Sequence, residues 1–161
     1  MTPKELVLNQ LEAAKWLFDS FMKDFTDTDA AFQPAGGGNH LNWILAHLAV
    51  SEDSIIAKLS GRPRRLSEAL HAAYGSGSTC KSDDGMTFAE ARKMYNESHA
   101  RTVEFVKGFD ESRYDEKAPE GMPPLFPTAG AVVGLLGTHP FWHFGQLSVN
   151  RKMLGKAKVL G

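Results

Sequence analysis

The stretch that decides the fold is Thr128 to Leu154, TAGAVVGLLGTHPFWHFGQLSVNRKML. Val132, Leu135, Leu136, His139, His143, Leu147 and Leu154 recur in it at helical rather than strand spacing. It reads as one long helix, capped by Thr128 and stopped before Gly155. Two histidines fall inside the apolar stripe. Residues four apart on an α-helix sit about 40° apart in azimuth and about 6 Å apart along the axis, so His139 and His143 can reach one ion. Each unsatisfied buried imidazole would cost about 1–3 kcal/mol. Two readings stay open here: a ligand pair, or two core histidines that each bond a neighbouring carbonyl or carboxylate. Between them Pro140 removes a backbone hydrogen bond and clashes with the Leu136 carbonyl, at about 3 kcal/mol. It either kinks the helix and aims His139, or breaks it, with Gly137, Phe141, Trp142 and Phe144 giving room for the irregularity.

Outward from this segment, three more helices are expected. The first covers residues 3 to 25, with Leu11, Ala14, Phe18 and Phe21 on one face, Thr2 as cap, Pro3 in the first turn and Glu5 completing a capping box. TDTDAAFQPAGGGN ends it, and Asn39 is the expected cap of the second, HLNWILAHLAVSEDSIIAKLS, closed by Gly61 and Pro63. From Gly61 to Met86 runs a long connection with a short helix near LSEALHAA and the polar YGSGSTCKSDDG. Thr87 and Glu90 form a capping box for a third helix, Phe88 to about Lys107, with Gly108 as its stop. Residues 109 to 127 hold four prolines and read as loop. The expected fold is all-α: a four-helix bundle with a long connection between its second and third helices, one domain over residues 1 to 161.

Charge and composition exclude several functions. With 18 Lys plus Arg against 19 Asp plus Glu the net charge is -1, which gives no footprint for nucleic acid, and GRPRR is too small to change that. Cys80 is the only cysteine, so no internal disulfide can form. No apolar run approaches the roughly 20 residues that span a bilayer, and the first residues lack a signal-peptide pattern. A cytoplasmic protein acting on a small molecule, without nucleic acid or membrane as partner, is expected; exposed apolar residues on a helix pair would allow a homodimer.

The six histidines carry more information than the charges. His47, in the middle of the second helix, shares a face with Trp43, Ile44, Ser51 and Ser54. One inward imidazole facing an i,i+4 pair on another helix gives the three-nitrogen set from which bundles build metal centres. His40 reads as a cap or a solvated residue, and His71 lies in the flexible connection. His99 shares a face with Phe88, Tyr95 and Val106, either as core and pocket lining or as a fourth ligand. Glu52 and Asp53 read as solvent-facing. Gln146, one turn past His143, either orients a ligand or makes a polar contact in the bundle, and Trp43 and Trp142 are candidate pocket walls.

At NHLNWILAHLAVSED and HPFWHFGQLSVNRKMLG, with its HxxxHxGQ core, the sequence resembles the DinB-like superfamily of four-helix-bundle metalloenzymes. The resemblance implies a divalent ion on His47, His139 and His143. Characterised branches include mycothiol-dependent maleylpyruvate isomerase and bacillithiol or glutathione S-transferase relatives. A low-molecular-weight thiol and transferase or isomerase chemistry on a small electrophile are therefore implied. Zinc or nickel suits the imidazoles best, and iron or manganese can use the same ligands. The alternatives are metal-dependent hydrolysis and a non-catalytic, stress-related module that binds a metal or small ligand.

Overall fold

The computed structural model describes residues 1–160, and among them it is all-helical. Six α-helices and one 3-10 turn follow in order: α1 (Pro3–Met22), α2 (Asp27–Ala30), α3 (Leu41–Ser60), α4 (Glu68–Tyr74), α5 (Phe88–Gly108), the turn Glu111–Arg113, and α6 (Ala129–Met153). No strand occurs among the described residues; a single bridge pairs Lys117 with Thr128. α3 packs on α5 and α6, and α1 packs on α6 and α5, so the four long helices close a ring. That arrangement is consistent with the expected four-helix bundle.

The capping chemistry fixes most helix starts where expected. Thr2 with Glu5 and Thr87 with Glu90 form reciprocal capping boxes, and Thr128 accepts from the Ala131 amide. A third box, Thr26 with Asp29, was not foreseen. It opens α2, so α1 ends at Met22 instead of running to residue 25. At the start of α3, where Asn39 is the expected cap and His40 reads as a cap or a solvated residue, the structure decides for the histidine. His40, not Asn39, is the N-cap: its Nδ1 accepts from the Trp43 amide at 3.1 Å, while Nε2–H donates to the Lys81 carbonyl at 2.8 Å. A histidine can cap because an unprotonated ring nitrogen accepts as a Ser or Asp oxygen does. This buried ring thereby ties the 61–86 connection to the start of α3.

Pro140 is buried within α6, and the helix continues through it. Thr138 Oγ1 donates back to the Gly134 carbonyl at 3.2 Å. Gly137 lets the Gln10 side chain of α1 lie close against α6, since a Cβ there would be 2.4 Å from Gln10 Oε1.

The apolar core forms two clusters. One gathers Phe18, Met22, Leu41, Leu45, Tyr95 and Leu147; the other gathers Leu11, Leu59, Val106, Val132 and Leu136. Between them along α3, α5 and α6 lie six of the buried polar residues: Glu52 and Asp53, then Ser98, His99 and Thr102, then His143. The polar belt at mid-height is where the chemistry is concentrated.

Candidate metal centre

His47 on α3 and the pair His139 and His143 on α6 converge across the seam between these helices. One ring nitrogen from each lies within 4.8 Å of the other two. The nearest pair, His139 Nε2 and His143 Nε2, is 3.1 Å apart, close to the roughly 3.3 Å that separates two nitrogens on a tetrahedral zinc ion. The i,i+4 spacing on one continuous helix accounts for that approach, and the α3–α6 packing brings the third ring in.

Two of the rings have their outer nitrogen fixed. His47 Nδ1–H donates to the Tyr74 carbonyl at 2.7 Å, which leaves the Nε2 lone pair facing the cluster. Tyr74 is the last residue of α4, so its carbonyl has no partner inside its own helix and is free to accept. His143 Nδ1–H donates to Gln146 Oε1 at 3.1 Å, and the same oxygen accepts from Asn39 Nδ2 at 3.3 Å. Asn150 Nδ2 holds the Asn39 carbonyl at 2.9 Å. The Ser51 hydroxyl lies 3.4 Å from His47 Nε2.

All three rings are held neutral. Burial pushes His139 down to about 3, with the positive charges that His143 and His47 could carry adding to the effect. Burial, then His47, lowers His143 to about 4, against the Gln146 hydrogen bond. Burial also lowers His47, opposed by its bond to the Tyr74 carbonyl. Neutral imidazole is the form that coordinates a metal, so this three-histidine group could hold a divalent ion.

The other flagged residues are distributed unevenly. Trp43 is buried and stacks on His47, with centroids 4.6 Å apart and planes within 8°. Trp142 sets its ring against His139 at 5.5 Å but is 55% exposed, so it stands at the rim. His99 does not join the cluster. It lines a cleft of about 520 Å³ on the opposite seam, between α1 and α5, with Trp16, Asp19 and Val103. Burial, then the Lys15 charge, holds its ring down to about 4.

Three expectations from the sequence are corrected. Glu52 and Asp53 do not face solvent; they are 2% and 3% exposed. Glu52 Oε2 accepts from Ser98 Oγ and Thr102 Oγ1, each at 2.8 Å, on the α3–α5 seam. Burial raises its carboxyl to about 7 despite those bonds, and Oε1 has no partner. Asp53 accepts from the Arg65 and Leu66 amides, both at 3.0 Å, from His71 Nε2–H at 3.1 Å and from Arg101 Nη1 at 3.4 Å. His71 is therefore buried and fastened, not loose in the connection. The reason is that α3 is covered on most of its surface, with 14 of its 20 residues buried, and positions 52 and 53 fall on covered faces against α5 and the segment leading into α4.

The role of the Tyr74 carbonyl has no signature in the sequence, because every residue carries a carbonyl. Gln146 was legible from its position one turn beyond His143.

The profile of the DinB superfamily matches residues 10–147, a span that takes in all three histidines. The chain belongs to the DinB superfamily. A crystal structure of a conserved protein of locus from Enterococcus faecalis is similar over 97% of this chain and 99% of that one, with a TM-score of 0.69 and 19% identity. That likeness shows that the two chains share an overall fold. No curated protein matches the chain.

Proposed function

We propose that this DinB superfamily chain is a divalent-metal-dependent enzyme built on a four-helix bundle, with His47, His139 and His143 as the ligands. The convergence of three neutral ring nitrogens, two with their far nitrogen already bonded, is the observation that carries it. Without an ion, His139 and His143 would turn Nε2 toward Nε2, and one ring would have to spend its proton on the other. An ion on three neutral nitrogens keeps its charge and an open position, and supplies a Lewis acid that makes a nucleophile from a weak acid at neutral pH.

The protein's own contribution is positional. The Tyr74 carbonyl and Gln146 Oε1 hold protons on the outer nitrogens, and Trp43 covers His47 from one side and keeps water off it. The reaction class we propose is thiol-dependent transfer or isomerisation of a small electrophile, supported by superfamily membership and the resemblance of the HxxxHxGQ segment. Hydrolysis is less well supported, because the two nearby acids on α3 are engaged elsewhere, Glu52 with α5 and Asp53 with α4.

Elemental analysis of protein purified without added chelator tests the premise: about one divalent ion per chain is expected, and His47→Ala should lose it. A metal content near zero after Zn(II) or Ni(II) loading would overturn the reading. With metal present, turnover of an electrophile plus thiol that disappears in His47→Ala supports the enzyme; binding without turnover over a broad thiol and electrophile panel leaves a metal-binding module.

A further inference from the structure

Short helix α4 packs against α3, and its two ends do different things. Ahead of it, the Arg65 and Leu66 amides donate to the Asp53 carboxylate, and within it His71 Nε2–H donates to the same group. The other ring nitrogen of His71 meets Ser54 Oγ at 3.2 Å. At the far end the free Tyr74 carbonyl accepts the His47 proton at 2.7 Å. Asp53 and His47 both belong to α3, six residues apart, and they are linked through α4 rather than through contact with one another.

We infer that α4 is a brace that sets which nitrogen of His47 carries the proton, and that Asp53 and His71 are positioning residues holding the brace. The inference rests on the metal reading for its use, since a proton at Nδ1 leaves Nε2 free for an ion, but the brace itself is a property of the metal-free chain. A carbonyl within 2.7 Å of Nδ1 permits one tautomer only, because a lone pair there would face another lone pair. Asp53 concentrates four donors on two oxygens, and three of them belong to the segment from Arg65 to His71. Removing the carboxylate frees that segment from α3, and the Tyr74 carbonyl loses its fixed distance. Partners that orient a ligating histidine from behind are typically worth about 10- to 100-fold in metal affinity.

The test uses the full chain, metal-free, with nitrogen-15 in its histidines. Two-bond proton–nitrogen correlations at pH 7, with the His47 signal assigned by its loss in His47→Ala, should show a single Nδ1–H tautomer in the parent. Asp53→Ala and His71→Gln should show a mixture, and Asp53→Asn, which keeps one accepting oxygen, should fall between. Co(II) alone, titrated into the same proteins, should bind about 10- to 100-fold more weakly to Asp53→Ala than to the parent, with a changed visible absorption band. Should Asp53→Ala fail the far-ultraviolet circular dichroism check for folding, His71→Gln carries the same comparison. A His47 tautomer and a Co(II) affinity unchanged within about twofold in folded variants would overturn the brace. If the parent takes up neither Co(II) nor Zn(II), the metal reading falls, and the tautomer result still decides the brace.

Discussion

Glu52 illustrates how one buried acid makes stability depend on pH. Its folded pKa lies at about 7, above the ordinary 4.5, because burial outweighs the Ser98 and Thr102 bonds. The folded chain therefore binds more protons than the unfolded one between those values, and stability falls as pH rises from 4.5 to about 7. Glu52→Gln removes that penalty. Its gain over the parent should be near zero at pH 4, grow through this window and level off at up to about 3 kcal/mol by pH 8, as read by urea denaturation. The histidine pair on α6 has the opposite sign: pushed down to about 3 and about 4, His139 and His143 stay neutral when folded but charge when unfolded, so the stability they contribute is lost as pH falls below 6.5. The same lowering bears on metal binding. Zn(II) affinity should change less between pH 7 and pH 5 than that of a free HxxxH peptide, whose rings titrate near 6.5; an equal loss, measured by isothermal titration, would contradict the burial of the pair.

Among the elements, α6 carries the strongest local conflict. Pro140 forfeits the hydrogen bond to the Leu136 carbonyl, yet the helix continues to Met153 because Leu136 and Leu147 bury its two ends in the two apolar clusters. Pro140→Ala should therefore raise the melting midpoint, by an amount equivalent to about 1 kcal/mol or more, since the helix term of about 3 kcal/mol exceeds the packing lost with the ring. A lower midpoint would mean that the ring's packing dominates. The elements also show what a sequence reveals. The start and end of α6 and both foreseen capping boxes were legible because side chain and backbone meet within three residues. The burial of Glu52 and Asp53 was not, because charge on a helix suggests solvent and only tertiary coverage of α3 reverses that. His40 was legible as a cap beside Asn39, but its tie to the Lys81 carbonyl was not, because that contact spans 41 residues.

Over the whole molecule, the two apolar clusters and the polar belt between them divide the labour. Truncating either cluster should cost about 2–5 kcal/mol, so Leu136→Ala and Leu147→Ala are both expected to lower the denaturation midpoint strongly while leaving the histidine nitrogens in place. The belt responds to ligand instead. An ion bound only by the folded chain at 100 times its Kd should add about 2.7 kcal/mol, visible as a melting temperature that climbs with Zn(II) concentration and no longer does so in His143→Ala. The ring of four helices was predictable from periodicity, and so was the gathering of His47, His139 and His143 on inward faces. What lay beyond the sequence was the supporting layer, since it is made of backbone carbonyls, amides and residues far apart in the chain.

The clasp formed by Asn39, Gln146 and Asn150 has a consequence for how such chains diverge. Gln146 Oε1 accepts from both Asn39 and His143, and Asn150 holds the Asn39 backbone, so the run just ahead of α3 and the second half of α6 form one hydrogen-bonded unit separated by more than a hundred positions. A change at 146 strands the amide of 39 and unseats the ring of 143 together, whereas a change at 53 strands His71 and the amides beside it. Descendants of this chain should thus exchange 39 with 146 as a pair and 53 with 71 as another, and the two pairs should drift independently.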